Sequence, residues 1–381
     1  MRILIGTDTY PPTVNGAAQF SRRLAGGLSR RGHEVHVLCP AQTTRSVTTT
    51  EPSGVTVHQI GSFPYPPYET FRISRPTAVG PAAGRLLDRL QPEVVHVQDH
   101  FLIGRALIRR AASRGIGVVA TNHMMAENYF DHVPCPRRLR GIGARWLWAD
   151  LRRVFARTSV ITSPTPKAAE LLTRATGLPA VAVSNGIDSE RYERARDRAV
   201  RPATPTVLFV GRLDPEKRID DLLRAMALLP EQVPGRLVVV GHGSQRAALR
   251  NLAAELGLGA DRLEFSGYVD ETELLTAYGS AEVFCMPGVA ELQSLATLEA
   301  MSARLPVVAA DAMALPHLVR EGENGWLYPP GQVETLAARL TAILSDAETR
   351  RLMGKKSSEI VAEHAFGATL DRFEQLYTTV R

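Results

Sequence analysis

Short apolar runs recur along this 381-residue chain, each ending in a loop rich in Gly, Pro, Asn or Asp and followed by a stretch with helical spacing. Residues 3–6 (ILIG), 94–97 (VVHV), 118–120 (VVA) and 160–163 (VITS) make one set. Residues 207–211 (VLFVG), 237–240 (LVVV), 283–286 (VFCM) and 307–310 (VVAA) make a second. Runs this short and continuous read as strands buried on both faces, the habit of parallel sheets. Parallel neighbours need crossover connections, and the intervening helical stretches supply them. The pattern predicts an α/β chain with two consecutive Rossmann-like, doubly wound parallel sheets. Between the sets, residues 189–205 are polar and hold Arg191, Arg194, Arg196, Arg198 and Arg201; they read as an interdomain linker.

Open α/β sheets bind ligands at the carboxyl ends of their strands, where a helix start offers unpaired N–H groups and a favourable dipole to an anion. The stretch after 283–286 carries chemistry at that place. Glu291 falls in the loop, Ser294 reads as the N-cap, and Leu295, Leu298 and Met301 recur at helical spacing with Glu299 among them. Two carboxylates eight positions apart, on either side of a helix start, suit the hydroxyl-bearing ends of one extended ligand with an anionic middle; a nucleotide sugar has that shape. On local pattern alone, two solvated surface charges are the commoner reading of such a pair. Arg212 and Lys217 follow the run 207–211, His100 follows 94–97 and His123 follows 118–120. In the loop after 3–6, Asn15-Gly16 lets backbone approach a ligand closely.

Bulk properties narrow the class. Hydrophobic residues make up 44% and charged residues 22%, an ordinary globular balance; with no apolar run of membrane-spanning length, no transmembrane helix is expected. The chain enters a strand pattern at once, without a signal peptide, and its cysteines, Cys39, Cys135 and Cys285, are far apart and odd in number. Both point to reduced thiols in the cytoplasm and against a zinc knuckle. The net charge of +6 comes mostly from Arg, the only lysines being Lys167, Lys217, Lys355 and Lys356. Such basicity fits nucleic acid, an anionic membrane or a phosphorylated substrate, and no nucleic-acid module is recognisable. Residues 137–157 (RRLRGIGARWLWADLRRVFAR) are basic and amphipathic, with Trp146 and Trp148. They read as a helix lying on an anionic membrane, at the inner face of the plasma membrane, or as a domain helix with its Arg face in solvent.

The Glu291–Glu299 spacing and the run GRLDPEK, with Arg212 and Lys217, resemble the signature of retaining GT-B glycosyltransferases of family GT4, the glycosyl transferases group 1. The resemblance covers essentially the whole chain and implies two such domains facing across a cleft. It implies that Arg212 and Lys217 meet the donor pyrophosphate and that Glu291, with the following amides at Gln293, Ser294 and Leu295, touches the donor sugar. Glu299 then binds the ribose, His123 contacts the sugar near the reacting carbon, and Gly16 lies near the donor phosphates. Gly241 belongs to a second Gly-rich turn, and Tyr268 lies near the base. One departure is Gln293-Ser294 where Phe-Gly is usual; Gln at that position is shared with lipid glucosyltransferases of the family. The implied domains are 1–188 for the acceptor, a linker at 189–205, 206–362 for the nucleotide sugar, and a helix at 363–381 crossing back to the first domain. Asn15, Tyr65, Tyr68 and His100 are the candidate acceptor contacts. The two tyrosines stand in a proline-rich loop over 62–76 that lines an acceptor groove or packs on its own domain.

The implied activity is transfer of a hexose from a nucleotide diphosphate sugar, of the UDP-glucose or GDP-mannose type, to an acceptor hydroxyl with retention. No Asp-x-Asp motif is present, so neither a metal nor another cofactor is expected. No carboxylate stands out as a covalent nucleophile, which favours front-face attack assisted by the leaving phosphate. A membrane lipid and a soluble natural product or aminocyclitol both remain open as acceptors. The rival readings are a nucleotide-sugar epimerase or a phosphorylase of the same fold, and a non-catalytic nucleotide-sugar sensor.

Overall fold

The computed structural model describes residues 1–13, 15–65, 68–129 and 136–381. Its chain divides into two compact units, Met1–Asn185 with Gly367–Arg381, and Gly186–Phe366.

In the first unit the strands are β1 (Arg2–Gly6), β2 (Glu34–Pro40), β3 (Val47–Thr50), β4 (Thr56–Ile60), β5 (Ser62–Tyr65), β6 (Tyr68–Ser74), β7 (Val94–Val97), β8 (Gly117–Thr121), β9 (Val160–Ser163) and β10 (Val181–Ala182). Among the described residues eight of them form one sheet in the order β10-β9-β8-β7-β1-β2-β4-β3, parallel except for the antiparallel edge pair β3 and β4. Val35 and Val94 flank Ile3 on its two sides, and the central strands are buried because helices cover both faces. The chain first builds outward from β1 through β2, then returns to lay β7 on the opposite edge of β1. The strand order therefore reverses between β1 and β7, which opens a crevice at their carboxyl ends.

The second unit repeats the plan with β11 (Thr206–Val210), β12 (Arg236–Val240), β13 (Leu263–Gly267), β14 (Val283–Met286), β15 (Val307–Ala310) and β16 (Gly325–Tyr328). Their order is β13-β12-β11-β14-β15-β16, every pair parallel. Here the reversal falls between β11 and β14, where Val207 stands beside Val283 and Leu208 beside Phe284.

The last helix, Phe366–Val380, packs Leu370, Phe373 and Tyr377 into the core of the first unit. Arg31 holds it from outside through Asp371 at 2.7 Å and Glu374 at 2.6 Å, and the Thr369 hydroxyl donates to the Ser184 carbonyl. Among the described residues no helix is long and apolar enough to cross a membrane.

Three sequence expectations need correction. Residues 189–205 are not simply a linker: Glu190–Arg198 is a helix of the second unit. Tyr192 and Arg196, one turn apart, are its buried face; Tyr192 meets the Tyr278 ring edge-on and Arg196 donates to the Gly279 carbonyl at 2.9 Å. The proline-rich loop at 62–76 is instead the β5–β6 hairpin. Aromatic and β-branched residues dominate its described strands, and Pro64 is tolerated in β5 because a two-stranded ribbon is all edge. Arg72 ties it down, donating to the Ala41 carbonyl at 3.0 Å and the Ser62 hydroxyl at 2.9 Å. The third concerns the basic helix Arg137–Phe155, where of its two tryptophans Trp146 alone faces out, at 66% exposure. Trp148 belongs to the core, its indole N–H donating to Glu127 at 3.0 Å. Cys39 and Cys285 are buried free thiols, while Cys135 and the Tyr68 side chain lie outside the described residues.

Candidate active site

The loops after β11 and β14 flank the strand reversal of the second unit, and they carry Arg212, Lys217 and Glu291. The Lys217 ammonium is paired with the Glu291 carboxylate, both largely buried. The loops are sewn together by backbone as well. The Val289 N–H donates to the Glu216 carbonyl at 2.9 Å, and from the loop after β15 the Ala314 N–H donates to the Glu291 carbonyl at 3.1 Å. Gly288 lies under the ion pair: a Cβ there would stand 3.1 Å from a Glu291 carboxylate oxygen and 3.4 Å from Lys217 Cδ.

Arg212 is aimed by two acids of its own loop. Its guanidinium donates to Asp214 Oδ2 at 2.8 Å and Glu216 Oε1 at 2.9 Å. Asp214 is buried, and its other oxygen accepts from the Ser244 N–H at 3.1 Å and hydroxyl at 2.9 Å. The turn after β12 therefore joins the site through Ser244. That turn lies so close that Gly241, at φ +135°, has no room for a side chain: a Cβ would meet the Gly211 carbonyl oxygen at 1.9 Å. The packing explains this glycine without a ligand.

Ser294 caps the helix Leu295–Ser302, its hydroxyl accepting from the Thr297 N–H at 3.3 Å. Gln293 and Ser294 are buried at this helix tip, and Leu295 is half-buried. Glu299 sits one turn in, its Oε2 accepting from the Tyr278 hydroxyl at 2.8 Å. Burial and the nearby Glu299 charge hold the Tyr278 phenol far above its ordinary pKa, so it stays a donor. Tyr268 is 75% exposed after β13.

The first unit places its candidates differently. Gly16 is exposed and opens the helix Gly16–Arg30. Asn15 caps that helix, its Oδ1 accepting from the Ala18 N–H at 2.8 Å, so its oxygen is committed to structure. His100 is corrected outright: it is 1% exposed, between Phe101 and Phe155, with Nε2 3.8 Å from Asp150, and cannot reach an acceptor. Tyr65 is half-buried in the hairpin. His123 is half-buried after β8, packed on Phe20, with Nε2 2.9 Å from Gln98 Oε1. Burial lowers its pKa to about 4, so the ring is neutral at neutral pH.

Several relevant groups escape sequence reading. Asp214, Glu216 and Tyr278 orient Arg212 and Glu299, and Gln98 orients His123. The only sequence signal was the spacing of Asp214 and Glu216 two and four residues after Arg212. In the first unit, Asp8 and Asp99 meet at the strand reversal, the Asp8 N–H donating to Asp99 Oδ2 at 2.8 Å. Burial and the Asp99 charge raise the Asp8 pKa well above the carboxylate range.

Two family profiles match the chain, Glycosyltransferase Family 4 over residues 14–191 and Glycosyl transferases group 1 over residues 191–359. A GDP-mannose-dependent alpha-mannosyltransferase of Mycobacterium tuberculosis is 30% identical over 88% of this chain and 85% of its own length. The chain belongs to glycosyltransferase family 4. The sulfoquinovosyl transferase SQD2 of Arabidopsis thaliana is also 30% identical to this family member, over 87% of the chain but 64% of the plant protein. Sucrose-phosphate synthase from Thermosynechococcus elongatus superposes with a TM-score of 0.84 over 99% of both chains at 22% identity, which establishes the GT-B fold. Membership makes the chain a glycosyltransferase, and its family uses nucleotide-sugar donors.

Proposed function

We propose that this glycosyltransferase moves a hexose from a nucleotide diphosphate sugar to an acceptor hydroxyl, with retention at the anomeric carbon. The observation that supports it most is the gathering of Arg212, Lys217 and the capped helix tip at Ser294 around the strand reversal of the second unit. A diphosphate is favoured there by two cations and by the helix N-terminus together. As the glycosidic bond breaks, negative charge grows on the β-phosphate. Arg212 and Lys217 stabilise that charge more than the ground state, with no divalent ion required. Glu291 and the amides at Gln293, Ser294 and Leu295 hold the sugar, Glu299 holds the ribose, and the Gly241 turn and Tyr268 border the base. An incoming phosphate competes for Lys217 and frees a Glu291 oxygen for a sugar hydroxyl. Retention follows from front-face attack: the acceptor oxygen bonds to the anomeric carbon as the carbon–phosphate oxygen bond breaks, and the acceptor proton passes to that phosphate oxygen. His123 and Gly16 complete the proposed set.

GDP-mannose and UDP-glucose are the donors to try first, the mycobacterial relative being GDP-mannose-dependent by name. For the acceptor we propose a membrane lipid. The helix Arg137–Phe155 buries Ala144, Leu147, Trp148 and Leu151 on one face and exposes a second apolar stripe at Leu139, Ile142 and Trp146 on another. Exposed Arg138, Arg145, Arg152 and Arg153 accompany that stripe, a combination suited to an anionic bilayer surface. The test of the donor site is a thermal-shift series with GDP- and UDP-sugars, because a ligand held only by the folded state raises the melting temperature. A rise in the wild type that disappears in Arg212→Ala and Lys217→Ala supports the assignment; an equal rise in all three refutes it.

A further inference from the structure

A line of buried polar side chains runs through the first unit from the last helix to His123. The Tyr377 hydroxyl oxygen lies 2.7 Å from His96 Nδ1. His96 Nε2 lies 2.7 Å from the Thr121 hydroxyl and 3.2 Å from Gln98 Nε2, and Gln98 Oε1 lies 2.9 Å from His123 Nε2. Tyr377, His96, Thr121 and Gln98 are all buried, and the rings of Phe20 and Phe373 pack along the line. An apolar surround offers no water to repair a mismatched donor and acceptor, so each group's proton constrains the next.

We infer that Tyr377, His96 and Gln98 are positioning residues that set which ring nitrogen of His123 carries its proton. The chain of constraints is short. An amide has one donating and one accepting end. With its oxygen toward His123, Gln98 accepts the Nε2–H of that ring and leaves Nδ1 as a bare lone pair. Among the described residues Nδ1 has no hydrogen-bond partner, so it is the nitrogen offered to a ligand. With its nitrogen toward His96, the same amide donates to His96 Nε2, which also accepts the Thr121 hydroxyl. The His96 proton must then sit on Nδ1, where it is donated to the Tyr377 oxygen. Burial keeps both rings neutral at neutral pH, lowering His96 to about 3 and His123 to about 4, so each carries a single ring proton. Turning Gln98 end for end would reverse both tautomers together.

Removing the Tyr377 oxygen takes away the partner of His96 Nδ1–H. The His96 proton then moves to Nε2, Gln98 turns, and His123 exchanges its Nε2 proton for one on Nδ1. The experiment is nitrogen-15 NMR of the histidine rings in the full chain at neutral pH. Tyr377→Phe keeps the aromatic packing and is expected to switch His123 from the Nε2–H to the Nδ1–H form. In Gln98→Glu, a carboxylate with no donating end accepts from both rings; His123 therefore keeps its Nε2 proton, and adding Tyr377→Phe leaves it there. A His123 tautomer unchanged by Tyr377→Phe overturns the inference, as does a switch that persists in the double variant. The consequence for turnover rests on the catalytic role proposed for His123. In Tyr377→Phe a severalfold fall in kcat with unchanged donor KM is expected. A switched tautomer with unaltered kcat upholds the relay and removes His123 from the catalytic set.

Discussion

Lys217 and Glu291 form an ion pair across the strand reversal of the second sheet, one from each loop that flanks it, with Gly288 directly beneath. The glycine leaves just enough space for the pair. Gly288→Ala would bring a methyl to 3.1 Å from the carboxylate, forcing the two side chains to shift by a few tenths of an ångström. A roughly tenfold loss of nucleotide affinity follows, given how steeply such sites respond to misplacement. Calorimetric titration with the nucleoside diphosphate reads it, and wild-type affinity would show the geometry of the pair to be irrelevant to binding.

How far the chain was legible depends on what each residue's neighbours do. The sheets were readable because 207–211 and 283–286 are apolar along their whole length, a pattern only a strand covered on both faces explains. That also located Arg212, Lys217 and Glu291 on loops at strand ends. The Asp214–Glu216 clamp was not readable, because Asp-Pro-Glu looks like any polar turn until its carboxylates are seen to converge on one guanidinium. His100 and His123 occupy equivalent places after neighbouring strands, yet one lies under Phe101 and Phe155 and the other is half-buried. Nothing in the local sequence distinguishes them. Trp146 and Trp148 are two apart on a helix, so the helix turn alone sends them to different faces.

The Asp214 clamp predicts a split between stability and function. Asp214→Ala removes a charged acceptor from Arg212 and from both donors of Ser244, and should cost about 2 kcal/mol of unfolding free energy. Donor turnover should fall further than this destabilisation accounts for, because Arg212 loses its aim. Chemical denaturation and steady-state kinetics on the same samples test this; lost stability with intact kcat would leave Asp214 a purely structural residue.

Buried histidines make the first unit acid-sensitive. Burial lowers His96 to about 3 and His100 and His123 to about 4, against about 6.5 in an unfolded chain. Well above the unfolded value, from about pH 7.5 upward, both states are neutral and stability is independent of these rings. As pH falls from 6.5 toward 4, the unfolded chain binds protons that the folded chain refuses, so stability declines. The Asp8 and Asp99 carboxyls, raised by burial, act in the opposite sense over the same window, so the reading is the difference between variants: the melting temperature of His100→Leu, with one titrating ring fewer, should fall less steeply with acid than that of the wild type. Identical slopes would count against the burial of His100.

The exposed stripe at Leu139, Ile142 and Trp146 predicts salt-sensitive binding to vesicles containing anionic lipid and little binding to neutral ones. Trp146→Ala should weaken it without altering the melting temperature. Trp148→Ala should instead destabilise the fold, by about 3 kcal/mol or more for a buried indole. Equal binding to neutral and anionic vesicles, or none to either, would end the lipid reading of the acceptor.

The central claim is that Arg212 and Lys217 carry the charge that develops on the departing diphosphate. Its most direct measurement is kcat for Lys217→Ala at saturating donor, using GDP-mannose or UDP-glucose and following release of the nucleoside diphosphate. A fall on the order of a hundredfold or more, not restored by raising the donor concentration, is the predicted result. An unchanged kcat with only a raised KM would mean that Lys217 binds the donor without assisting its cleavage, and would contradict the account.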